Sequence, residues 1–246
     1  MRRLPFLLII VLMTVITGNA FAQVKKAPVK KRVVTTTTKR ATTAKKVITA
    51  VKLPGVRVKI TTDSGVIIVR LYDKTPKHRD NFVKLANAHF FDSLIFHRVI
   101  QGFMIQGGDP QSKNAVPGAM LGAGDVGYTI PAEFDTSLFH KKGALAAART
   151  DNPEKASSGC QFYIVQGRPY SDAELNQMEM QMGTKFSPAK RNIYKTLGGT
   201  PFLDMNYTVF GEVESGLDVI DKIASVPKAP GDRPLGDVHM YIQVMK

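Results

Sequence analysis

The sequence predicts a mainly β protein: a closed antiparallel β-barrel capped by two helices, with a helical hairpin inserted into it. Three observations favour this fold. Many short stretches alternate apolar and polar residues, as strands with one buried face do. Gly-rich turns separate these stretches. Only two helical patterns lie outside the insertion, and many short strands with few helices are typical of a barrel.

Residues 1–22 have the pattern of a signal peptide. Two arginines precede an apolar run at residues 4–16, and small residues at Ala20 and Ala22 mark a cleavage site before Gln23. The alternative is an uncleaved membrane anchor, but the apolar run is shorter than the roughly 18–20 residues that a spanning helix needs. We therefore expect an exported protein, periplasmic or secreted after cleavage near Ala22.

Residues 23–52 are predicted to be a basic, disordered linker. The chain has 34 basic and 20 acidic residues; 12 basic and no acidic ones precede residue 53, so 34 − 12 = 22 basic residues face 20 acidic ones beyond it. A stretch of Lys, Thr, Val and Ala repels itself and has little to bury. It is either a solvated tether or a contact to an anionic envelope surface. Specific nucleic-acid binding is disfavoured, because no aromatic residues interleave its charges.

The domain at residues 53–246 begins with a hairpin. Alternating residues at 56–60 and an apolar run at 66–72 flank a turn at 61–65. Thr75-Pro76 then has the residue types that begin a helix, and Phe82, Leu85 and Ala86 follow at helical spacing.

Later elements follow the same logic. Short strands fill residues 96–165, a second capping helix carries Leu217, Ile220 and Ile223, and residues 238–245 alternate as a closing strand.

The insertion spans residues 167–200. Ser171 and Glu174 form a capping box for a first helix, whose Leu175, Met178 and Met182 share one face. Ser187-Pro188 begins a second helix carrying Ile193 and Leu197, and Gly198-Gly199 ends it. The Met-rich face is either a peptide-binding surface or a face that docks onto the barrel, and we expect docking.

Residues 96–110, FHRVIQGFMIQGGDP, concentrate the candidate chemistry. They combine one cation, one amide and two large apolar side chains: Arg98, Gln106, Phe103 and Met104. Gln161, Tyr163, Phe202, Leu203 and Tyr207 form two further groups of amide, aromatic and aliphatic side chains.

Other chemistries fit poorly. The sequence contains no GxSxG elbow, no HExxH or Cys/His ligand spacing and no phosphate-binding glycine loop, so hydrolytic nucleophiles, metal and phosphate are not indicated. The single cysteine, Cys160, lies in an apolar run and is expected to be a small buried hydrophobe. An apolar site with one fixed cation and hydrogen-bonding amides suits a reaction that breaks no bond.

The run at 96–110 resembles the signature of cyclophilins, and GCQFYI and PFLDMNYTVFGEV resemble two later segments of that family. The resemblance extends from about Val56 to the C-terminus, interrupted by the insertion. It implies an eight-stranded antiparallel barrel capped by two helices, which isomerises X-Pro peptide bonds without cofactor or metal.

The resemblance also implies roles for individual residues. Arg98 matches the catalytic arginine and Gln106 a glutamine that orients substrate. The implied substrate-binding residues are Phe103, Met104, Ala148, Arg149, Gln161, Tyr163, Phe202, Leu203 and Tyr207.

Four positions depart from the common pattern. Arg149 replaces an Asn, a change that backbone contacts would tolerate, and Tyr163 replaces a Phe while keeping its ring. Phe202 replaces a Trp, which should weaken binding of the inhibitor cyclosporin, and Tyr207 replaces a His. The last two resemble exported bacterial members.

Three hypotheses follow. The first is an active prolyl isomerase, a monomer whose partners are unfolded proline-containing polypeptides and which assists the folding of exported proteins. The second is a binding module on the same barrel, without useful catalysis. The third makes the basic linker the main functional element, docking the protein on an anionic surface.

Overall fold

A computed structural model describes residues 55–246, so the predicted signal peptide and linker lie outside the described residues. The strands are β1 (Val56–Thr62), β2 (Gly65–Leu71), β3 (Leu94–Ile95), β4 (Arg98–Ile100), β5 (Met104–Gly107), β6 (Thr129–Ile130), β7 (Ala144–Ala147), β8 (Ser157–Ser158), β9 (Phe162–Val165), β10 (Val209–Ser215) and β11 (His239–Val244). The α-helices are α1 (Pro76–Asn87), α2 (Asp172–Met182), α3 (Pro188–Thr196) and α4 (Leu217–Ala224). Two 3₁₀ turns lie at Pro110–Ser112 and Pro201–Leu203. Within the described part, no helix combines the length and apolarity that crossing a bilayer requires.

The main sheet is an open half-barrel of nine antiparallel strands in the order β3-β11-β1-β2-β10-β7-β9-β5-β4. The prediction of a closed, eight-stranded barrel is therefore wrong. The two edge strands of the observed sheet, β3 and β4, are separated in the chain only by Phe96 and His97. The Phe96 N–H still donates to the Val238 carbonyl, next to β11, whereas the Val99 N–H donates to the Asp232 carbonyl in a different loop. One strand of the expected barrel thus becomes two.

The core lies between the inner face of this sheet and helices α1 and α4. The predicted first hairpin is confirmed, with Thr62 opposite Gly65 at its turn. Phe82 of α1 packs on Phe91 and Phe162, with ring centroids 4.9 and 5.4 Å away. Each fully buried side chain of this size contributes about 1.5–3 kcal/mol of hydrophobic stabilisation.

Both predicted capping helices are present. Leu85 and Ala86 of α1 are buried, as are Ile220 and Ile223 of α4. Thr75 stands at the N-cap of α1, but its side chain makes no capping hydrogen bond.

The predicted insertion also contains two helices, and its capping box at Ser171 and Glu174 is confirmed. Its core is formed by Tyr170, Leu175, Phe186 and Tyr194, with Met178 and Met182 packed against them. The Met-rich face thus covers the insertion's own core, to which Phe139 is the one contributor from outside the insertion among the described residues of this cluster.

The buried face of α3 differs from the prediction. Tyr194 is fully buried, whereas Leu197 is 39% exposed. Apolar spacing suggested Ile193 and Leu197, but the face is set by Tyr194, whose hydroxyl donates to Asp204 in the barrel.

Candidate active site

The hairpin of β4 and β5 brings the central residues of the run at 96–110 together. Arg98 lies opposite Gln106, and Ile100 lies opposite Met104. Directly opposed residues of an antiparallel pair point to the same face, so the cation and the amide are neighbours. The Arg98 Nη1 atom makes a long contact of 3.5 Å to Gln106 Oε1. Gly102 makes the turn possible with a φ of 75°, and Phe103 follows it.

A cavity of about 180 Å³ opens beside this hairpin. Its lining includes nine of the eleven predicted site residues: Arg98, Phe103, Met104, Gln106, Ala148, Arg149, Tyr163, Leu203 and Tyr207. The walls come from different strands and loops: β5 pairs with β9, which carries Tyr163, and the 3₁₀ turn at 201–203 supplies Leu203. The cavity therefore combines apolar walls from Phe103, Met104 and Leu203 with the polar groups of Arg98, Gln106 and Arg149.

Gln161 lies behind the lining rather than in it. It is 7% exposed, and its Oε1 accepts a hydrogen bond of 3.1 Å from Gln106 Nε2. Its own Nε2 donates to the carbonyls of Gly122 and Gly124, at 2.9 and 2.7 Å. Because each amide fixes the next, Gln161 holds the orientation of Gln106 and so presents its Oε1 to Arg98.

Phe202 also lies outside the lining. It is 43% exposed, and its ring packs on Phe103 at 5.8 Å between centroids. It therefore extends the apolar rim of the cavity.

Arg149 is a second cation at the cavity, but it is held by the segment at residues 206–207. Its Nε donates to the carbonyl of Asn206 at 3.0 Å, and its guanidinium carbon lies 4.8 Å from the centroid of the Tyr207 ring. The neighbouring Ala148 uses both backbone groups inside the protein, with its N–H donating to Gln161 and its carbonyl accepting from Ser158. Arg149 thus braces the rim.

A larger groove of about 1130 Å³ adjoins the cavity, and Arg98 and Gln106 line both. Its walls are the loops at 117–123 and 229–237. Arg233 links the two loops: it donates to the carbonyls of Val116 and Ala119 and pairs with Asp237. Arg98 is thus flanked by two spaces, and its side chain remains 44% exposed.

Several residues that support this site were not predicted from the sequence. His140 and Asp204 lie behind the cavity, Arg233 bridges the groove, and Asp232 Oδ2 lies 3.8 Å from Arg98 Nε. Only Asp204 had a visible signal, since it directly follows Leu203.

His97 lines the groove in a neutral form. Burial lowers the pKa of its imidazole to about 4, against the opposing charge of Asp109. Cys160 is buried, and burial raises the pKa of its thiol to about 12. Among residues 55–246, no cluster of three or more His, Cys, Asp or Glu side chains is arranged to hold a metal ion.

Comparisons with known proteins show the family of the chain. The family model of the cyclophilin-type peptidyl-prolyl cis-trans isomerase domain matches residues 57–244. A protein of Staphylococcus haemolyticus named as a peptidyl-prolyl cis-trans isomerase is 35% identical over 184 residues, covering 74% of this chain and 87% of the relative. A Streptococcus pyogenes protein named as a bifunctional phosphatase and isomerase is 38% identical over 189 residues, which is 75% of this chain but only 37% of that relative.

Solved structures support the fold. A cyclophilin-type isomerase of Cryptosporidium parvum superposes with a TM-score of 0.57 at 22% identity, covering 78% of this chain and 98% of that one. The same enzyme, determined in the presence of an alanyl-proline dipeptide, gives a TM-score of 0.56. Since the family model spans most of the residues described, the chain belongs to the cyclophilin-type peptidyl-prolyl cis-trans isomerases and has their activity, the isomerisation of X-Pro peptide bonds.

Proposed function

We propose that Arg98 is the catalytic cation of this isomerase and that the protein acts as a monomer on unfolded, proline-containing polypeptides during the folding of exported proteins. One observation carries the catalytic assignment: Arg98 lines the same cavity as Phe103, Met104 and Leu203. The cavity therefore offers a proline ring an apolar seat next to a permanent positive charge.

The chemistry of the peptide bond explains why this pairing suits the reaction. Delocalisation of the nitrogen lone pair opposes rotation by about 18–20 kcal/mol. At the twisted transition state this resonance is lost, and the prolyl nitrogen becomes a basic, pyramidal atom. In this twisted state a guanidinium donates to the nitrogen, or polarises neighbouring groups, more strongly than it does in the planar ground state. Only such differential binding accelerates the step.

Arginine suits the task because it stays protonated and presents donors in a rigid fork. Uncatalysed X-Pro bonds exchange on a scale of tens to hundreds of seconds. Raising a rate near ~10⁻² s⁻¹ to ~10²–10³ s⁻¹ requires lowering the barrier by roughly 6–7 kcal/mol. One well-placed charge in a site that excludes water can supply a large share of this.

The test is a coupled isomerisation assay on an X-Pro peptide. Arg98→Ala should lower kcat/KM by about tenfold or more, because it removes the donor aimed at the transition state. Arg168→Ala is the matched control, since Arg168 is an arginine of similar exposure, 52% against 44%, and is paired with Glu174 in the insertion. Equal rates for the Arg98→Ala protein and the control would defeat the assignment.

A second measurement separates catalysis from binding. If the barrel acts as a holding module, its suppression of client aggregation will persist in Arg98→Ala at wild-type strength. A folding catalyst should instead lose its acceleration of client refolding in the same variant. The intact set of Arg98, Phe103, Met104 and Gln106 supports the catalyst.

Export and envelope contact belong to the same proposal. The pattern at residues 1–22 supports export to the periplasm or the medium, and the basic stretch at 23–52 supports contact with an anionic envelope surface. Deleting residues 24–52 should release the protein from envelope fractions, as should raised salt, because salt screens such contacts. Retention that resists both treatments would argue for another anchor.

A further inference from the structure

A chain of buried hydrogen bonds leads from the inserted helix α3 to the wall of the cavity. The Tyr163 hydroxyl lies 3.0 Å from His140 Nε2, and His140 Nδ1 lies 2.9 Å from Asp204 Oδ1. Asp204 Oδ2 in turn accepts from the Tyr194 hydroxyl and from Lys190 Nζ, each at 2.7 Å. Tyr163, His140, Asp204 and Tyr194 are all at most 5% exposed. This connected set, here called the buried chain, joins two parts of the fold.

The direction of each hydrogen bond follows from the protonation states. Burial alone would raise the pKa of Asp204, but the hydrogen bond from His140 and the charge of Lys190 outweigh it and hold that pKa below its usual value. Asp204 is therefore a carboxylate, which only accepts. Burial lowers the pKa of His140, so its ring is neutral. His140 must then carry its proton on Nδ1, and Tyr163 donates to the free Nε2.

Two walls of the cavity depend on this arrangement. Tyr163 stacks on His140 with ring centroids 6.0 Å apart and planes 12° from parallel. Asp204 directly follows Leu203, the wall residue of the 3₁₀ turn. Asp204 Oδ1 also accepts from the His140 backbone N–H at 2.9 Å, so one carboxylate holds both segments.

The insertion supplies the outer end of the buried chain. Lys190 Nζ lies 5.0 Å from the ring centroids of both Phe139 and Phe186, and its side chain is 15% exposed. A buried carboxylate without a cation is costly, and it draws in water or a proton at the expense of its original geometry. Lys190 therefore determines where Asp204 can sit.

We propose that Lys190 and Tyr194 are positioning residues of the isomerase site: through Asp204 and His140 they fix Leu203 and Tyr163, and so set the width of the cavity that receives proline. This assigns the insertion a role in substrate affinity, and it rests on the proposed site around Arg98. The insertion contributes no atom to the reacting bond and acts only through the walls.

The test compares two lysines of the same helix. Lys190→Met should raise KM for an X-Pro peptide by about threefold to tenfold, while kcat stays within about twofold of the wild-type value. The reason is that the buried Asp204 carboxylate loses one of its hydrogen-bond donors. The cavity grips the ring in the ground state and in the transition state alike, so its loss appears in KM. Lys195→Met removes an ion pair with Asp172, which has no link to Asp204, and should keep the wild-type KM.

A second variant addresses the inner end of the buried chain. Tyr163→Phe keeps the ring and leaves His140 Nε2 without its donor, so it should raise KM in the same way. Combined with Lys190→Met it should add little, because both changes release the same element. Each variant is assayed under conditions in which circular dichroism shows it to be fully folded. Lys190→Arg keeps the charge and should therefore retain most of the wild-type affinity.

The outcomes separate the two proposals. An unchanged KM in both Lys190→Met and Tyr163→Phe overturns the role of the buried chain, whatever Arg98→Ala does. A KM that rises equally in Lys195→Met also overturns it, since any loosening of α3 would then suffice. Full turnover by Arg98→Ala would instead remove the catalytic assignment, and a raised KM in Lys190→Met would still establish the link from the insertion to the cavity.

Discussion

Replacing His97 by Phe should remove a defined part of the protein's sensitivity to acid. His97 is 3% exposed, and neither ring nitrogen has a hydrogen-bond partner within residues 55–246. Burial lowers the pKa of the imidazole from 6.5 to about 4. The charge of Asp109 acts to raise this pKa but is outweighed, and the charges of Arg98 and Arg233 lower it further. Protonation at mildly acidic pH is therefore favoured only in the unfolded chain.

The two pKa values give the size of the effect. Between pH 6.5 and pH 4 the unfolded chain binds a proton at His97 that the folded protein does not, so the free energy of unfolding falls as the pH falls. The linkage relation puts this loss at about 2 kcal/mol between pH 7 and pH 5. Above pH 6.5 the contribution is almost fully present.

The wild-type protein should lose more than this in acid. Burial also lowers the pKa values of His78 and His140, despite the carboxylates of Glu133 and Asp204 that act in the opposite direction. The informative quantity is therefore the difference between wild type and His97→Phe. Urea titrations followed by circular dichroism at pH 7 and pH 5 measure it, because the chain has no Trp for fluorescence.

A non-titrating control completes the experiment. Val99→Ala, in the adjacent strand and fully buried, should lower the free energy of unfolding equally at both pH values. If wild type and His97→Phe lose the same free energy between pH 7 and pH 5, the assignment of a buried, neutral imidazole is wrong.

Three further outcomes are expected. Gln161→Leu should lower kcat/KM by about tenfold in the coupled assay, because Gln106 loses its fixed orientation; wild-type turnover would show that the amide pair is dispensable. Gly108→Ala should lower thermal stability well beyond Gly102→Ala: both have positive φ, but a Cβ at Gly108 would lie 2.2 Å from the Cys160 carbonyl oxygen, whereas Gly102 has open space. Cys160, whose thiol pKa burial raises to about 12, should react with a disulfide reagent at pH 8 only after unfolding, and rapid reaction of the native protein would contradict that burial.

The elements that local pattern predicts are those whose burial is decided within a few residues. The first hairpin, α1, α4 and the capping box of α2 fall into this class, because alternation, helical spacing and capping residues act over short distances. The number of strands does not belong to this class, because it depends on contacts between distant parts of the chain. Beyond the break between β3 and β4, the Val99 N–H donates to the carbonyl of Asp232, which is 133 positions further along the chain (232 − 99). No local pattern carries that information.

The candidate site divides in the same way. The residues between Arg98 and Gln106 are near one another in the chain, and one hairpin brings them together, so the motif itself predicted them. His140 and Asp204 lie 64 positions apart and meet only when the barrel and the insertion are folded. A lone histidine and a single aspartate have no distinguishing spacing in the sequence. The residues behind the cavity could therefore be identified only from the structure.

The half-exposed state of Arg98 has a consequence for the catalytic role that we propose for it. At 44% exposure in the free protein, its charge is largely screened by water, and a screened charge stabilises a developing lone pair only weakly. A bound polypeptide that fills the cavity and runs into the adjoining groove would cover both sides of the guanidinium. The substrate itself thus completes the exclusion of water on which the electrostatic term depends. Gln106 Oε1 and Asp232 Oδ2 lie 3.5 and 3.8 Å from nitrogens of the guanidinium, and these long contacts favour one orientation of Arg98 before a substrate binds. An open groove is for this reason compatible with strong electrostatic catalysis, provided that the substrate is long enough to close it.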